Sequence, residues 1–378
     1  MDIHDYLRLL VEREGSDLHL KAGGPAFIRI DGDLEQCDGL PALTPAITEG
    51  FARAMLEGDP LTLFEAGAEA DFAYAVPGLG RFRVAVFRQR GSVGLVLRRV
   101  LAGALSFDEL GLPPAVRKLA EEHRGLVLIT GPTGSGKTTT TAAMISHINA
   151  TRACHIVTVE DPIEVMHTDQ RAIIDQREVG VDTVDFVSAL RSVARQDPDV
   201  IFIGEMRDIE TVTAALQAAE TGHMVISTLH TTDATETVNR IIDMFPPFQQ
   251  GQVRLSLANS LKGIVCQRLL RRANGGRVAA IECMVMTTRL REFVLDADKT
   301  DEIVDAIAEG AYYGMQTFDA HLLELVRDEV ITMAEALDAA TSPHDLRIAL
   351  RAAGVVAAPA PAPAPAAVPP PAASAVGR

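Results

Sequence analysis

The sequence predicts an α/β protein in which a small α+β domain precedes a doubly wound domain on a parallel sheet. Three observations predict it. Arg81 to Arg90 alternates apolar and polar side chains, the period of half-buried strands. From Gly125 onward, short and nearly continuous apolar runs alternate with helix-length stretches, as buried parallel strands joined by crossovers do. The first of these runs ends in a glycine-rich octapeptide, Gly131 to Thr138, and a helical stretch follows it.

The elements follow in order. Ile3 to Val11 has the apolar spacing of a short amphipathic helix. Ser16 to Leu20 alternates as a strand, and Phe27 to Ile30 reads as a strand entering a turn at Asp31-Gly32. Arg81 to Arg90 and Val93 to Arg99 complete an antiparallel sheet with one polar face, which places a first domain at residues 1–102. The buried strands of the second domain, residues 103–353, are Gly125–Thr130, His155–Glu160, Val200–Glu205 and Met224–His230. Helices are expected at Thr138–Ile148, Val184–Arg195, Ile209–Glu220 and Thr235–Ile242, and again across 288–352. Residues 354–378 differ in kind. Seven of the 20 prolines lie between Pro359 and Pro371, interleaved with alanine, which predicts an extended, disordered tail.

Bulk composition narrows the function. No apolar run approaches the length of a membrane span. The start, Met1 to Asp5, lacks a positive region followed by an apolar one, so a cytoplasmic location is expected. Cys37, Cys154, Cys266 and Cys283 form no C-x-x-C pair, which argues against disulfides and structural zinc. The net charge of −16 and the 4% aromatic content argue against a nucleic-acid translocase. The one dense basic stretch, Arg268, Arg271, Arg272 and Arg277, reads as a solvated helix end and loop or a contact with an acidic partner.

The octapeptide Gly131-Pro132-Thr133-Gly134-Ser135-Gly136-Lys137-Thr138, followed by Thr139, matches G-x-x-x-x-G-K-[ST] in full. Its glycines let successive N–H groups turn toward phosphate oxygens, and the helix that follows adds its positive end. Lys137 is one of only five lysines and can reach the β- and γ-phosphates of ATP. The Thr138 hydroxyl can ligate Mg2+. Hydrolysis also needs carboxylates, and two strand ends offer them. One carries Glu160, Asp161 and Glu164; the other ends in Glu205, an acid in the Walker B position. His230 stands where a γ-phosphate sensor is needed. Arginines should balance the phosphate charge, and Arg81, Arg83 and Arg90 on the first domain's polar strands are the candidates.

With these motifs placed, the chain resembles the PilT family of type IV pilus retraction ATPases, within the secretion ATPase superfamily. The likeness runs from Met1 to about residue 352. It rests on SDLHL at 16–20, GRFRV at 80–84, GPTGSGKTTT at 131–140, VEDPIE at 159–164 and QREVG at 176–180. It continues in DPDVIFIGEMRD at 197–208, AAETGHMVISTLHT at 218–231 and GMQTFD at 314–319. The resemblance implies a PAS-like first domain, a RecA-like second domain and a homohexamer acting on an inner-membrane pilus platform protein. It implies an Asp box at Glu160–Glu164, a Walker B box at Ile201–Glu205 and a His box at Thr228–His230. Glu164 is then the catalytic base, with Glu205 near Mg2+. At Arg289–Asp296 the chain departs from a helical motif that many retraction motors carry, keeping only Arg291 and the acidic end.

Pilus retraction is thus the leading expectation. A pilus-assembly or type II secretion ATPase of similar fold usually carries an extra N-terminal domain and a tetracysteine zinc motif; this sequence opens on the small α+β domain and has no C-x-x-C, so retraction is expected over assembly. A PilU-like accessory retraction ATPase stays open. The intact acidic boxes argue against a nucleotide switch that does not hydrolyse.

Overall fold

The computed structural model describes residues 2–30 and 32–355, apart from the side chains of Leu101 and Ala102. The proline-alanine stretch expected to be an extended tail lies outside the described residues from 356 onward. The chain opens on the helix Ile3–Glu12, capped by Asp2 in a reciprocal box with Asp5. That helix buries Ile3, Tyr6, Leu7 and Leu10 on one face. They pack on a six-stranded antiparallel sheet made of β1 (Asp17–Lys21), β2 (Phe27–Ile30), β3 (Asp33–Gln36), β4 (Ala70–Val76), β5 (Gly80–Gln89) and β6 (Ser92–Arg99). Its order is β3-β2-β1-β6-β5-β4. The sequence pattern missed β3, β4 and the intervening helices Pro45–Met55 and Gly58–Glu65. On β5, Phe82, Val84 and Val86 point into this core, so Arg81 and Arg83 stand on the opposite face.

The chain then forms a short strand β7 (Leu101–Ala102) and enters the second domain through β8 (Gly125–Thr130) and β9 (His155–Glu160). There follow β10 (Val165–Met166), β11 (Ile173–Glu178), β12 (Val200–Ile203), β13 (Met224–Leu229), β14 (Leu261–Arg271) and β15 (Arg277–Val285). Seven of these make one sheet in the order β11-β9-β12-β13-β8-β14-β15. All its neighbours run parallel except β14 and β15. Alternate residues feed two cores. Leu126, Leu128, Val157, Ile201 and Val225 pack on one face, and Val127, Ile129, Ile156, Val200 and Ile226 on the other. Each such side chain, fully buried, contributes about 1.5–3 kcal/mol. Both faces are covered, which explains the unbroken apolar runs in the sequence.

Three local expectations are corrected. The strand expected over Val200–Glu205 stops at Ile203; Gly204 N–H still donates to Val159 O on the neighbouring strand, and the chain then leaves the sheet. A side chain at Gly204 would meet Val159 O at 3.3 Å and Glu160 Cα at 3.4 Å, a tight fit that glycine relieves. The helix expected over Val184–Arg195 is shorter, Phe186–Val193, with Asp185 capping it. The basic stretch is no helix end, and of its four arginines only Arg272 lies in a loop, the one joining β14 to β15. Arg268 and Arg271 lie on β14 and Arg277 on β15. Arg268 donates to Ala339 O at 2.6 Å and sits 3.9 Å over the Phe318 ring, so it ties the C-terminal helices to the sheet.

Glu282 on β15 gives a stability prediction. Its carboxyl is 5% exposed and accepts a hydrogen bond from Ala234 N–H at 2.9 Å. Burial pushes its pKa from 4.5 to about 7, and the Asp233 charge adds to the rise. A raised carboxyl favours the folded state most below its unfolded pKa. That contribution fades as pH climbs through about 7. Glu282→Gln keeps the shape and the acceptor without the titration. It should therefore stabilise the protein more at pH 8 than at pH 5, by about 2 kcal/mol, since each pKa unit is worth about 1.4 kcal/mol. Denaturant unfolding at the two pH values checks this, and an equal effect at both would refute it.

Among the described residues, no helix is long and apolar enough to cross a membrane.

Candidate nucleotide site

A cavity of about 770 Å³ opens at the carboxyl ends of β8, β9, β12 and β13, where open α/β sheets place their ligands. Its walls come from both domains. Gly131 to Gly136 wrap from β8 into the helix Lys137–Thr151, which has Gly136 at its N-cap and no side-chain cap. Its first N–H groups therefore face outward unsatisfied by any side chain, the arrangement that accepts an anion. Gly131, Gly134 and Gly136 all have positive φ (141°, 80° and 95°). A side chain at Gly131 would meet Gln267 O at 2.4 Å and Ser135 Oγ at 2.5 Å, so the loop closes only on glycine. Thr133, Gly134, Gly136, Lys137, Thr138 and Thr139 line the cavity, while Gly131, Pro132 and Ser135 form the loop beneath it. The buried Ser135 hydroxyl has no hydrogen-bond partner.

Lys137 is buried to 9% exposure and donates from Nζ to Gly131 O at 2.7 Å and Pro132 O at 3.1 Å. Burial pulls its pKa down, against the charges of Glu205 and Glu164 that support it. The His230 Nδ1 atom lies 3.4 Å from the same Nζ. An ammonium can only donate, so this geometry makes Nδ1 the acceptor and Nε2 the protonated nitrogen. Nε2 lies 3.2 Å from Glu205 Oε1, while Arg207 donates to Glu205 Oε2 at 2.7 Å. Burial alone would raise Glu205, but its hydrogen bonds with Arg207 and His230 and the Arg207 charge outweigh that and hold it below the usual carboxylate range. One continuous chain, Arg207–Glu205–His230–Lys137, thus joins the ends of β12 and β13 to the glycine loop.

The two acids of the preceding box differ. Glu160 is 8% exposed, and its Oε1 accepts from Thr158 at 2.7 Å and Gln176 at 3.2 Å. Burial raises its pKa. Glu164 is exposed in the cavity wall and makes no side-chain hydrogen bond to a described residue. Of the three first-domain arginines, Arg83 lines the cavity and the other two do not. Arg81 is engaged by Glu178 at 2.9 Å. Arg90 sits in the β5–β6 hairpin turn with φ 49°. Among the described residues, no three His, Cys, Asp or Glu side chains gather as a metal site. Among the oxygens lining the cavity are the Thr138 hydroxyl and the Glu205 carboxylate, donors of the hard kind that suits Mg2+ completed by phosphate oxygens.

Residues 79–338 match the family described as type II/IV secretion system protein. The chain belongs to this family. Within it, the chain is similar to the type IV pilus retraction ATPase PilT of Pseudomonas aeruginosa, with 43% identity over 345 residues, 91% of this chain and 100% of PilT. It is 40% identical over 352 residues to the type IV pilus ATPase PilU of the same organism, covering 93% of this chain and 92% of PilU. A crystal structure of the pilus retraction motor PilT with bound ADP superposes with a TM-score of 0.86, at 43% identity over 92% of this chain and 99% of that one. The family's fold is a RecA-like ATPase sheet behind a small antiparallel domain, and the chain is a PilT-like ATPase of that fold.

Sequence reasoning missed Arg98, Arg207 and Arg277, which also line the cavity. Arg98 was legible in principle. It stands directly across from Arg83 in the β5–β6 register, and the same alternation that exposes Arg83 exposes it. Arg207 follows the Walker B acid by two residues, and the turn at Gly204 brings it back onto Glu205.

Proposed function

We propose that the chain is an ATP-hydrolysing motor that retracts type IV pili, working as a homohexamer against an inner-membrane platform protein at the cytoplasmic face. The observation that carries this reading is the cavity between two domains: an uncapped glycine loop faces acids from two strand ends and an arginine from the first domain. Residues 103–353 act as the ATPase domain, and residues 1–102 close upon it. The residues of the glycine loop hold the phosphates, with Lys137 on the β- and γ-phosphates. Thr138 and Glu205 hold Mg2+, which neutralises charge on the phosphates when bound. Glu164 takes the proton from the attacking water. Its open position in the cavity supports that role, because Glu160 is sequestered by Thr158 and Gln176. His230, bonded to both Glu205 and Lys137, reports on the γ-phosphate.

A second reading, an accessory retraction ATPase, is favoured by the near-equal likeness to PilU and by the altered helix Thr288–Leu295. Deleting the gene in its host separates the readings. Loss of twitching with many long surface pili is expected for the retraction motor. Cells that keep pili and some twitching would favour the accessory role. Bald cells would mean an assembly ATPase and refute both.

A further inference from the structure

The turn that carries Glu164 is held from the first domain. Ile163, its immediate neighbour, donates its N–H to Glu178 Oε2 at 3.1 Å. Arg81 Nη2 donates to the same oxygen at 2.9 Å. Glu178 closes β11 with a side chain only 6% exposed, and its own N–H donates to Asp182 at 2.8 Å, so it is a fixed post. The far side of Glu164 is held as well. Val165 and Met166 form β10, which pairs with Leu101 and Ala102 in β7. That strand follows Val100, whose N–H donates to the backbone oxygen of Arg81 at 2.9 Å. Both supports of the Glu164 turn therefore meet at Arg81.

We propose that Arg81 is a positioning residue for Glu164: acting through Glu178, it links the stance of the first domain to the placement of the Glu164 carboxylate. The inference rests on the ATPase reading for its catalytic consequence. A buried carboxylate that loses its cationic partner is left uncompensated and seeks water or a proton. Glu178 would then turn away from Ile163 N–H and release the turn. The guanidinium also keeps a donor in reserve. Arg81 Nε is buried with no hydrogen-bond partner. A small approach of the domains would make the pair with Glu178 bidentate, and a bidentate pair fixes geometry more firmly than a single bond. Closure of the first domain would in this way stiffen the turn while Arg83, two residues along the same strand face, enters the cavity.

The test uses the full chain and the variants Arg81→Gln, Glu178→Gln and their double, with Arg81→Lys as the milder change. ATP turnover and amide hydrogen exchange across residues 161–166 are measured together. In Arg81→Gln, kcat should fall about 10- to 100-fold with KM for ATP nearly unchanged, the scale of a displaced reacting group. The double variant should be no worse than Arg81→Gln, because coupled partners do not add. The Ile163 amide should exchange about tenfold faster or more even without nucleotide, as a locally opened turn does. Arg81→Lys should fall between wild type and Arg81→Gln, and it decides on the same readouts if Arg81→Gln does not fold. Unchanged kcat and exchange, additive losses, or a raised KM at unchanged kcat would each overturn the proposal. Wild type and Glu164→Gln run alongside. A wild type without hydrolysis would refute the ATPase reading, while the exchange rates would still judge the contact between Arg81 and the turn.

Discussion

Lys137→Ala is expected to abolish ATP hydrolysis and weaken nucleotide binding. Lys137 is the only lysine among the cavity's lining residues. Its Nζ sits over the glycine loop, bonded to two backbone oxygens that a phosphate oxygen can replace without moving the side chain. Preorganisation of this kind makes one donor worth about 10²–10³ in turnover, and a cation on a polyphosphate is at the upper end. The side chain is also already desolvated at 9% exposure, and burial lowers its pKa against the opposing charges of Glu205 and Glu164. Little further reorganisation is then required when phosphate arrives. The lysine's partners are backbone oxygens beside an open cavity and not an apolar core, so the fold should survive its removal. Phosphate release, fluorescent nucleotide titration and thermal unfolding together separate the outcomes. Turnover within tenfold of wild type in a folded Lys137→Ala protein would remove the lysine from the phosphate site.

Much of this site was legible because its signals are local. The glycine loop needs positive φ at Gly131, Gly134 and Gly136, and glycine at those spacings shows it in the sequence. The buried strands showed as apolar runs because both sheet faces are covered. What stayed hidden depends on tertiary partners. The β14–β15 hairpin was misread because Arg268 and its neighbours look solvated, while in the fold a ring and a carbonyl receive Arg268. Arg81 and Arg83 have the same spacing, type and strand face, yet only the position of Glu178 on a distant strand decides which one is captured. Residue type and position alone likewise left Glu160 and Glu164 equal, and only the resemblance ranked them; in the fold Thr158 and Gln176 hydrogen-bond Glu160.

Arg83→Ala is expected to cut kcat by about 10³-fold or more while ATP still binds, the range of an arginine finger. Arg81 and Arg98 each hold a carboxylate, Glu178 and Asp17 respectively. Arg83 lies directly across the sheet from Arg98 and makes no ion pair among the described residues. Like charges facing each other across strands are destabilising, so Arg83 is a cation in search of an anion. The cavity it lines is the one in which the proposed function places the γ-phosphate. ADP lacks the oxygens this guanidinium would contact, and the first domain's position then depends on which nucleotide is bound. Such a differential contact is what converts hydrolysis into movement. Arg83→Lys should rescue poorly, because a point charge does not reproduce a planar fork. Arg90→Ala, in the hairpin turn, should behave as wild type. If Arg83→Ala hydrolyses ATP within a few-fold of wild type, Arg83 is not the finger, and Arg98, the other first-domain arginine lining the cavity, is the next to test.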